Sequence, residues 1–168
     1  MLATIIILLV VATDQITKYL ALTLLAPIRS FPLIQGVLEF RLVRNRGAAW
    51  GMLADNRWIF MTISVISIIL MTAYLVYSKS ERKLFIVSLA LIIGGGIGNM
   101  IDRIFYEAGA VVDFIYFKLI DFPVFNVADC AVTIGAGLLI LYIIYYEVIK
   151  PMLEKKNKDN TDGKTDMQ

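Results

Sequence analysis

The chain has 168 residues, of which 59% are hydrophobic, and a mean hydropathy of +0.76. Soluble domains are roughly 45–50% apolar. There is no histidine and a single cysteine, which excludes imidazole-activated nucleophiles, histidine-containing zinc sites and intrachain disulfides. The formal net charge of +2 argues against nucleic acid as a partner.

Four apolar stretches are long enough to cross a hydrocarbon core, which takes about 20 helical residues. They are residues 2–25, 58–77, 84–105 and 127–149. The sequence predicts an all-α membrane protein whose four transmembrane helices form one domain over residues 1–150. We expect the first stretch to be a retained span, since it contains Asp14 and lacks a preceding basic segment. We expect the polar residues 151–168 to form a disordered tail.

The loops between the spans indicate an orientation. Basic residues are slightly more frequent in the tail and the short second loop, which by the positive-inside rule places both termini in the cytoplasm. The loops 26–57 and 106–126 then lie outside. Alternating apolar and polar residues at 38–42 predict a strand on the membrane surface. Four arginines of the first loop either face solvent and headgroups or bind a lipid phosphate; they are Arg41, Arg44, Arg46 and Arg57.

Polar side chains within the spans are concentrated at one level. An ionisable group at the membrane centre costs at least ~2.5 kcal/mol on insertion scales, so each one requires a reason. Spans one and three run in the same direction and span four starts where span three ends, so their polar residues approach one membrane face. These residues are Asp14, Gln15, Lys18, Asn99, Asp102, Arg103, Asn126 and Asp129. A proton-coupled transporter or ion-conducting subunit is the alternative function, but a relay should place acids at several depths.

Four aspartates compete for a functional role. Asp14 has Lys18 at i+4, so a local ion pair accounts for it. Asp102 lies at a helix end beside an arginine, where structural carboxylates are common. Asp113 and Asp129 lie in apolar surroundings without a basic neighbour in sequence, which favours them as a functional pair. The alternative is that each caps a helix, Asp113 being the N-cap of a short interfacial helix.

Two neighbouring carboxylates in a low-dielectric site share a proton. The ionised one can take a proton from water while the protonated one donates to a carbonyl, which hydrolyses a peptide bond without histidine or metal. Asn45, Asn99 and Asn126 can hydrogen-bond an extended substrate backbone, and Arg103 can orient a carboxylate or bind a polar headgroup. Cys130 has no imidazole to activate it, so we expect it to be buried and to behave as a small apolar residue.

Five sequence blocks occur in the same order as in a known family. They are residues 14–18 (DQITK), 45–51 (NRGAAWG), 98–103 (GNMIDR), 111–115 (VVDFI) and 125–129 (FNVAD). On these blocks the chain resembles the lipoprotein signal peptidases (signal peptidase II), aspartic intramembrane peptidases of bacteria, over its length up to the tail. The resemblance implies cleavage of diacylglyceryl-modified prolipoproteins before the lipidated cysteine, at the outer face of the cytoplasmic membrane, without a metal or other cofactor.

The same resemblance implies roles for individual residues. It makes Asp113 and Asp129 the catalytic dyad and makes the first loop the source of a small β-cradle for the substrate. It assigns substrate contact or shaping of the site to Asn45, Asn99, Arg103 and Asn126. It assigns structural support of the site to Asp14, Lys18 and Asp102. The expected partners are a lipid-modified prolipoprotein and membrane lipids, and we expect a monomer.

Overall fold

The computed structural model describes residues 1–47, 57–78 and 82–155. Long helices pack against a small antiparallel sheet. The helices are α1 (Leu2–Leu25), α2 (Arg57–Tyr77), α3 (Lys83–Phe105) and α4 (Val127–Ile143). The strands are β1 (Ser30–Ile34), β2 (Leu38–Asn45) and β3 (Val111–Phe117), in the order β1-β2-β3.

Within the part of the chain that the structure describes, three helices are long and apolar enough to cross a membrane, namely Leu2–Leu25, Lys83–Phe105 and Val127–Lys155. The apolar part of α2, Met61–Tyr77, is shorter. Large apolar side chains on these helices point away from the protein, and Leu8 and Ile69, for example, are more than half exposed. Since water would penalise so much exposed apolar surface, these faces are suited to lipid. The chain is a multi-pass membrane protein.

Helix α3 packs against both α1 and α4 through glycines. A Cβ on Gly94 would lie 2.9 Å from Val10 Cβ of α1, and one on Gly95 would overlap the backbone oxygen of Ala128 in α4. Small residues let membrane helices approach this closely, and the close approach supplies the van der Waals contact that holds them together. The polar ends of α1, α3 and α4 are therefore brought side by side.

The sheet differs from the prediction in its third strand. The sequence predicted a strand only at 38–42, whereas β2 extends to Asn45 and pairs with β3 from the loop 106–126. Asp113 lies on β3, so its interpretation as the N-cap of an interfacial helix is wrong. The Val, Ile, Phe and Tyr residues around it favour a strand. The helical pieces described in this loop are two three-residue 3₁₀ turns, Glu107–Gly109 and Lys118–Ile120, rather than an interfacial α-helix.

The end of α4 corrects the predicted start of the tail. The helix continues through a π-helical segment, Ile144–Ile149, and on to Lys155. In this segment the N–H of Lys150 bonds to Tyr145 O, five residues back. The wider turn accommodates Pro151, which has no N–H and would clash in a regular α-helix. Residues 156–168 of the predicted tail and 48–51 of the second sequence block lie outside the described residues.

Candidate active site

Asp113 is buried on β3 and is held by two asparagines. The side chain is 2% exposed. Its Oδ2 accepts the Asn45 Nδ2 proton over 2.9 Å, and its Oδ1 accepts from Asn126 Nδ2 over 2.6 Å. Burial raises the pKa of Asp113 to about 7, the charge of Asp129 also raises it, and the two asparagine hydrogen bonds oppose the shift.

Asp129 lies in the first turn of α4 and forms a capping box with Asn126. The backbone N–H of Asp129 donates to Asn126 Oδ1 over 2.9 Å, and that of Asn126 donates to Asp129 Oδ2 over 3.1 Å. The interpretation of Asp129 as a helix cap therefore applies to its Oδ2 atom, which takes part in the capping box. The other, Oδ1, accepts from Asn99 Nδ2 over 2.8 Å and lies at the cavity described below.

Asn99 and Asn126 connect the two carboxylates. Asn126 Nδ2, which donates to Asp113, also lies 3.0 Å from Asn99 Oδ1. Asn99 in turn donates to Asp129. A continuous chain of hydrogen bonds therefore joins Asp113 to Asp129 through two amides, and hydrogen bonds of this kind fix both side chains in place.

Behind this bridge lies a buried cluster around Lys18. Its Nζ contacts Asp14 Oδ2 at 2.8 Å, Asp102 Oδ2 at 3.0 Å and Asn99 Oδ1 at 3.0 Å. The local pair of Asp14 and Lys18 that the sequence indicated is present, and Asp102 is a second partner. All three charged side chains are at most 1% exposed.

The two carboxylates of the cluster also bind backbone. Asp14 Oδ1 accepts the N–H of Ala128 over 2.9 Å, which satisfies one free donor at the start of α4. Asp102 Oδ2 accepts the N–H of Val112 on β3, also over 2.9 Å. A side chain on Gly98 would leave no room for Asp14, because its Cβ would lie 2.6 Å from Asp14 Oδ2.

A cavity of about 770 Å³ lies against both Asp113 and Asp129. Its polar lining residues include Asn45, Asn99 and Arg103 beside Asp113 and Asp129, and its apolar lining residues include 122–125 and 134. The volume falls within the roughly 300–1,000 Å³ of ligand pockets. This space can admit a peptide with an attached apolar group.

Arg103 and Cys130 also line the cavity. Arg103 Nη1 and Nη2 lie 3.5 Å from Gly109 O and Gly47 O, so the guanidinium lies between the loops next to β2 and β3. Cys130 is half-buried at the cavity wall, so the expectation of a buried residue is wrong. It follows Asp129 on α4, whose first turn faces the cavity.

A profile of the signal peptidase II family matches residues 6–145. The chain belongs to the signal peptidase II family. The lipoprotein signal peptidase of Symbiobacterium thermophilum is 41% identical over 149 residues, which cover 88% of this chain and 97% of that protein. The lipoprotein signal peptidase of Anoxybacillus flavithermus is 39% identical over 156 residues, or 92% of this chain and 88% of that protein.

Solved structures agree with this assignment. A bacterial membrane enzyme solved at 2.3 Å resolution has a TM-score of 0.80 at 34% identity, covering 88% of this chain and 90% of that one. A second, solved at 1.9 Å, has a TM-score of 0.76 at 35% identity, covering 84% and 92%. The family resemblance inferred from the five sequence blocks is confirmed. As a member of the signal peptidase II family, the chain is a protease.

In this signal peptidase II fold, the residues singled out from the sequence lie together. Hydrogen bonds or ion pairs link Asp113, Asp129, Asn45, Asn99, Asn126, Asp14, Lys18 and Asp102. Arg103 joins them at the cavity wall. In the described ranges, no group of three or more Asp, Glu, Cys or His side chains is placed to hold a metal ion.

One residue of the site went unassigned in the sequence. Gln15 Nε2 lies 3.2 Å from Asp14 Oδ2, 3.1 Å from Asp102 Oδ1 and 3.2 Å from Gly98 O, so it bridges the same two carboxylates as Lys18. Its position beside Asp14 in an apolar span was the available signal, because a buried amide needs partners.

Proposed function

We propose that the protein removes the signal peptide from diacylglyceryl-modified prolipoproteins by cleaving before the lipidated cysteine, with Asp113 and Asp129 as the catalytic dyad. The observation that carries this proposal is the hydrogen-bonded chain from Asp113 through Asn126 and Asn99 to Asp129, on the wall of one cavity. The names of the relatives, lipoprotein signal peptidases, support the substrate class.

The two carboxylates differ in environment, which assigns their roles. Asp113 is buried with a pKa of about 7 and supplies the protonated group. Asp129 is half-buried, lines the cavity and accepts hydrogen bonds from Asn99 Nδ2 and the N–H of Asn126, so we assign it the role of the base. Two carboxyl groups can serve as acid and base in one reaction.

The reaction then follows in two steps. The oxygen of a water molecule attacks the scissile carbonyl carbon as Asp129 takes a proton from that water. Asp113 donates its proton to the carbonyl oxygen. In the resulting tetrahedral intermediate, Asp129 returns its proton to the leaving nitrogen as the C–N bond breaks. Asp113 recovers a proton from the hydroxyl group as the new carboxyl forms, which restores the starting dyad.

The remaining polar residues of the cavity hold the substrate. Asn45 and Arg103 line the cavity together with Asp113, where they can hydrogen-bond an extended backbone. Asn99 and Asn126 shape the site through the dyad, while Asp14, Lys18 and Asp102 support it from behind. The apolar lining residues of the cavity suit the lipid group attached to the substrate's cysteine.

We further propose the arrangement in the membrane. Four helices, α2 included, span the bacterial cytoplasmic membrane as one peptidase domain over residues 1–150, with both termini in the cytoplasm. The dyad then lies near the outer face, next to the sheet, and the protein works as a monomer among membrane lipids. Exposed Leu119 and Ile120, beside Lys118, suit the boundary between acyl chains and headgroups.

A proton-coupled transporter or ion-conducting subunit, the alternative function, is less favoured. Asp14, Asp102 and Asp129 of the helices all belong to one network, joined through Lys18 and Asn99. A proton relay needs ionisable groups at successive depths of the membrane, whereas these three aspartates lie together at one depth.

The test uses the full chain purified in detergent and a lipid-modified preprotein. Asp113→Asn and Asp129→Asn should each abolish cleavage while the protein stays folded, because an amide cannot exchange the catalytic proton. Asp121→Asn is the matched control: Asp121 is exposed and bonds to Tyr116, and its left-handed backbone (φ 49°) also suits asparagine. Wild-type cleavage by either dyad variant refutes the dyad, and cleavage of the unlipidated preprotein at the same rate refutes the lipid requirement.

A chelator gives a second test of the mechanism. The dyad performs both proton transfers itself, so EDTA should leave the cleavage rate unchanged. Strong inhibition that added zinc or magnesium reverses would contradict a purely aspartic mechanism.

A further inference from the structure

One buried lysine is connected to the backbone beside both dyad aspartates. Lys18 binds the carboxylates of Asp14 and Asp102 at 2.8 and 3.0 Å. Asp14 accepts the N–H of Ala128, the residue that directly precedes Asp129, over 2.9 Å. A first series of contacts therefore connects the Lys18 ammonium, through Asp14, to the start of α4.

A second series of contacts connects the Lys18 ammonium, through Asp102, to β3. Asp102 Oδ2 accepts the N–H of Val112, the residue that directly precedes Asp113, over 2.9 Å. The ammonium of Lys18 thus lies between two carboxylates that each bind the backbone one residue ahead of a dyad aspartate. A shift of either carboxylate toward or away from Lys18 moves α4 and β3 relative to each other.

The third contact of Lys18 determines the orientation of an amide. A lysine ammonium has three donors and no acceptor, so the oxygen of Asn99 has to face it; the Nζ to Oδ1 distance is 3.0 Å. The amide nitrogen of Asn99 then faces Asp129 Oδ1, 2.8 Å away. Asn126 Nδ2 also donates to Asn99 Oδ1 over 3.0 Å, so Lys18 and Asn126 together hold the amide in this orientation. An inverted amide would present its oxygen to the Asp129 carboxylate and repel it.

Stability alone does not account for this cluster. Lys18, Asp14 and Asp102 are at most 1% exposed, and removing buried ionic groups from water costs several kcal/mol per ion. Apolar replacements of such clusters are often neutral or stabilising. The two carboxylates bind the N–H groups of Ala128 and Val112, and their shared contact with Lys18 links these two donors to each other, which is a geometric function.

We propose that Lys18 is a positioning residue whose ammonium sets the separation of Asp113 and Asp129. The inference rests on the proposed function of these two aspartates as the dyad. It goes beyond support of the fold, because it requires a specific effect on the reaction. Loss of the clamp that Lys18 forms with Asp14 and Asp102 has to lower the rate of the chemical step in a protein that still folds and binds substrate. A displacement of about 1 Å in a reacting group can cost about 100-fold in rate.

The first variant removes the clamp without changing the net charge of the cluster. Lys18→Met combined with Asp14→Asn deletes one ammonium and one carboxylate, and the new amide oxygen can still accept the Ala128 N–H. Well below the thermal midpoint, kcat on the lipidated preprotein should fall about 100-fold, with KM unchanged within threefold. Thr17→Val is the control on the same helix, since the Thr17 hydroxyl bonds to backbone oxygens of α1, and it should keep the wild-type kcat.

A second and milder variant keeps every charge. In Gly98→Ala the new Cβ would lie 2.6 Å from Asp14 Oδ2 and would displace that carboxylate. We expect kcat to fall at least tenfold with KM retained. Gly137→Ala on α4 is the matched control, because a Cβ there meets no atom within 4 Å, and kcat should not change. If the double variant does not fold, the Gly98→Ala result decides.

The outcomes separate this inference from the function on which it rests. Loss of cleavage in Asp113→Asn, together with a kcat within threefold of wild type in Gly98→Ala or in the folded double variant, overturns the role of Lys18 and leaves the dyad standing. Rates that recover fully on cooling, in step with the folded fraction, also overturn it, since Lys18 would then serve stability alone. A lower kcat at constant KM and constant folded fraction establishes the positioning role.

Discussion

Asn126 donates to Asp113 Oδ1 over 2.6 Å while its own side-chain oxygen caps α4. One amide therefore contacts both aspartates of the proposed dyad, because its nitrogen binds the carboxyl group of Asp113 on β3 and its oxygen binds the N–H of Asp129. The start of α4 is thereby locked to the sheet. Separating these two tasks by mutation measures what each contributes.

The first prediction concerns two substitutions of Asn126. Asn126→Ala removes both the cap and the donor to Asp113, so stability should fall by about 1 kcal/mol or more and cleavage should be lost. Asn126→Asp keeps a good N-cap but places a second carboxylate against Asp113. It should fold and fail to cleave, as measured by thermal unfolding and kcat on the same preparation. A wild-type rate for Asn126→Asp would show that the donor to Asp113 is dispensable.

The second prediction concerns the contact between α3 and α4. The Cβ introduced by Gly95→Ala would overlap Ala128 O and lie 2.8 Å from Val132 Cγ2, so the two helices must separate. We expect destabilisation of about 1–3 kcal/mol, seen as a lower thermal midpoint in detergent. Gly137→Ala, in open space on α4, should be neutral or stabilising by up to about 1 kcal/mol. Equal midpoints for the two variants would contradict the tight packing.

Local patterns in the sequence predicted the helices and indicated which two aspartates to propose as the dyad. Asp113 and Asp129 stood out because they lack a nearby basic partner, whereas Lys18 lies four residues from Asp14. That pair is present at 2.8 Å. The contact between Lys18 and Asn99 joins residues 81 positions apart, and helical periodicity carries no information about such distant pairs.

Strand β3 shows a second reason why part of the fold could not be predicted from the sequence. Its seven residues are mostly β-branched or aromatic, which favours a strand, yet the aspartate among them also allowed a helix cap. The pairing of Val43 with Asp113 on neighbouring strands decides between the two. Pairing partners are set by tertiary contacts with α1, through Phe114, Ala21 and Leu25, and such contacts cannot be read from a single segment.

The third prediction is the pH dependence of cleavage. Burial raises the pKa of Asp113 to about 7, and the mechanism needs this group protonated. The rate should therefore fall about tenfold for each pH unit above about 7, with an apparent pKa that belongs to the coupled dyad. The hydrogen bond from Asn45 lowers the pKa of Asp113, so Asn45→Ala should move the alkaline limb to higher pH. A limb that stays in place or moves to lower pH would contradict this assignment.

The fourth prediction is the pH dependence of stability. In the unfolded chain Asp113 loses its proton near its ordinary pKa of 3.8, whereas the folded protein retains it up to about 7. Over that interval the unfolded state binds fewer protons, so the contribution of Asp113 to stability decreases as the pH rises from about 4 to about 7 and is constant above it. Asp113→Asn removes the group, and its thermal midpoint should fall less over this interval than that of the wild type. Asp121→Asn, which changes an exposed carboxylate, should retain the wild-type slope, and equal slopes in all three proteins would mean that burial does not hold the proton on Asp113.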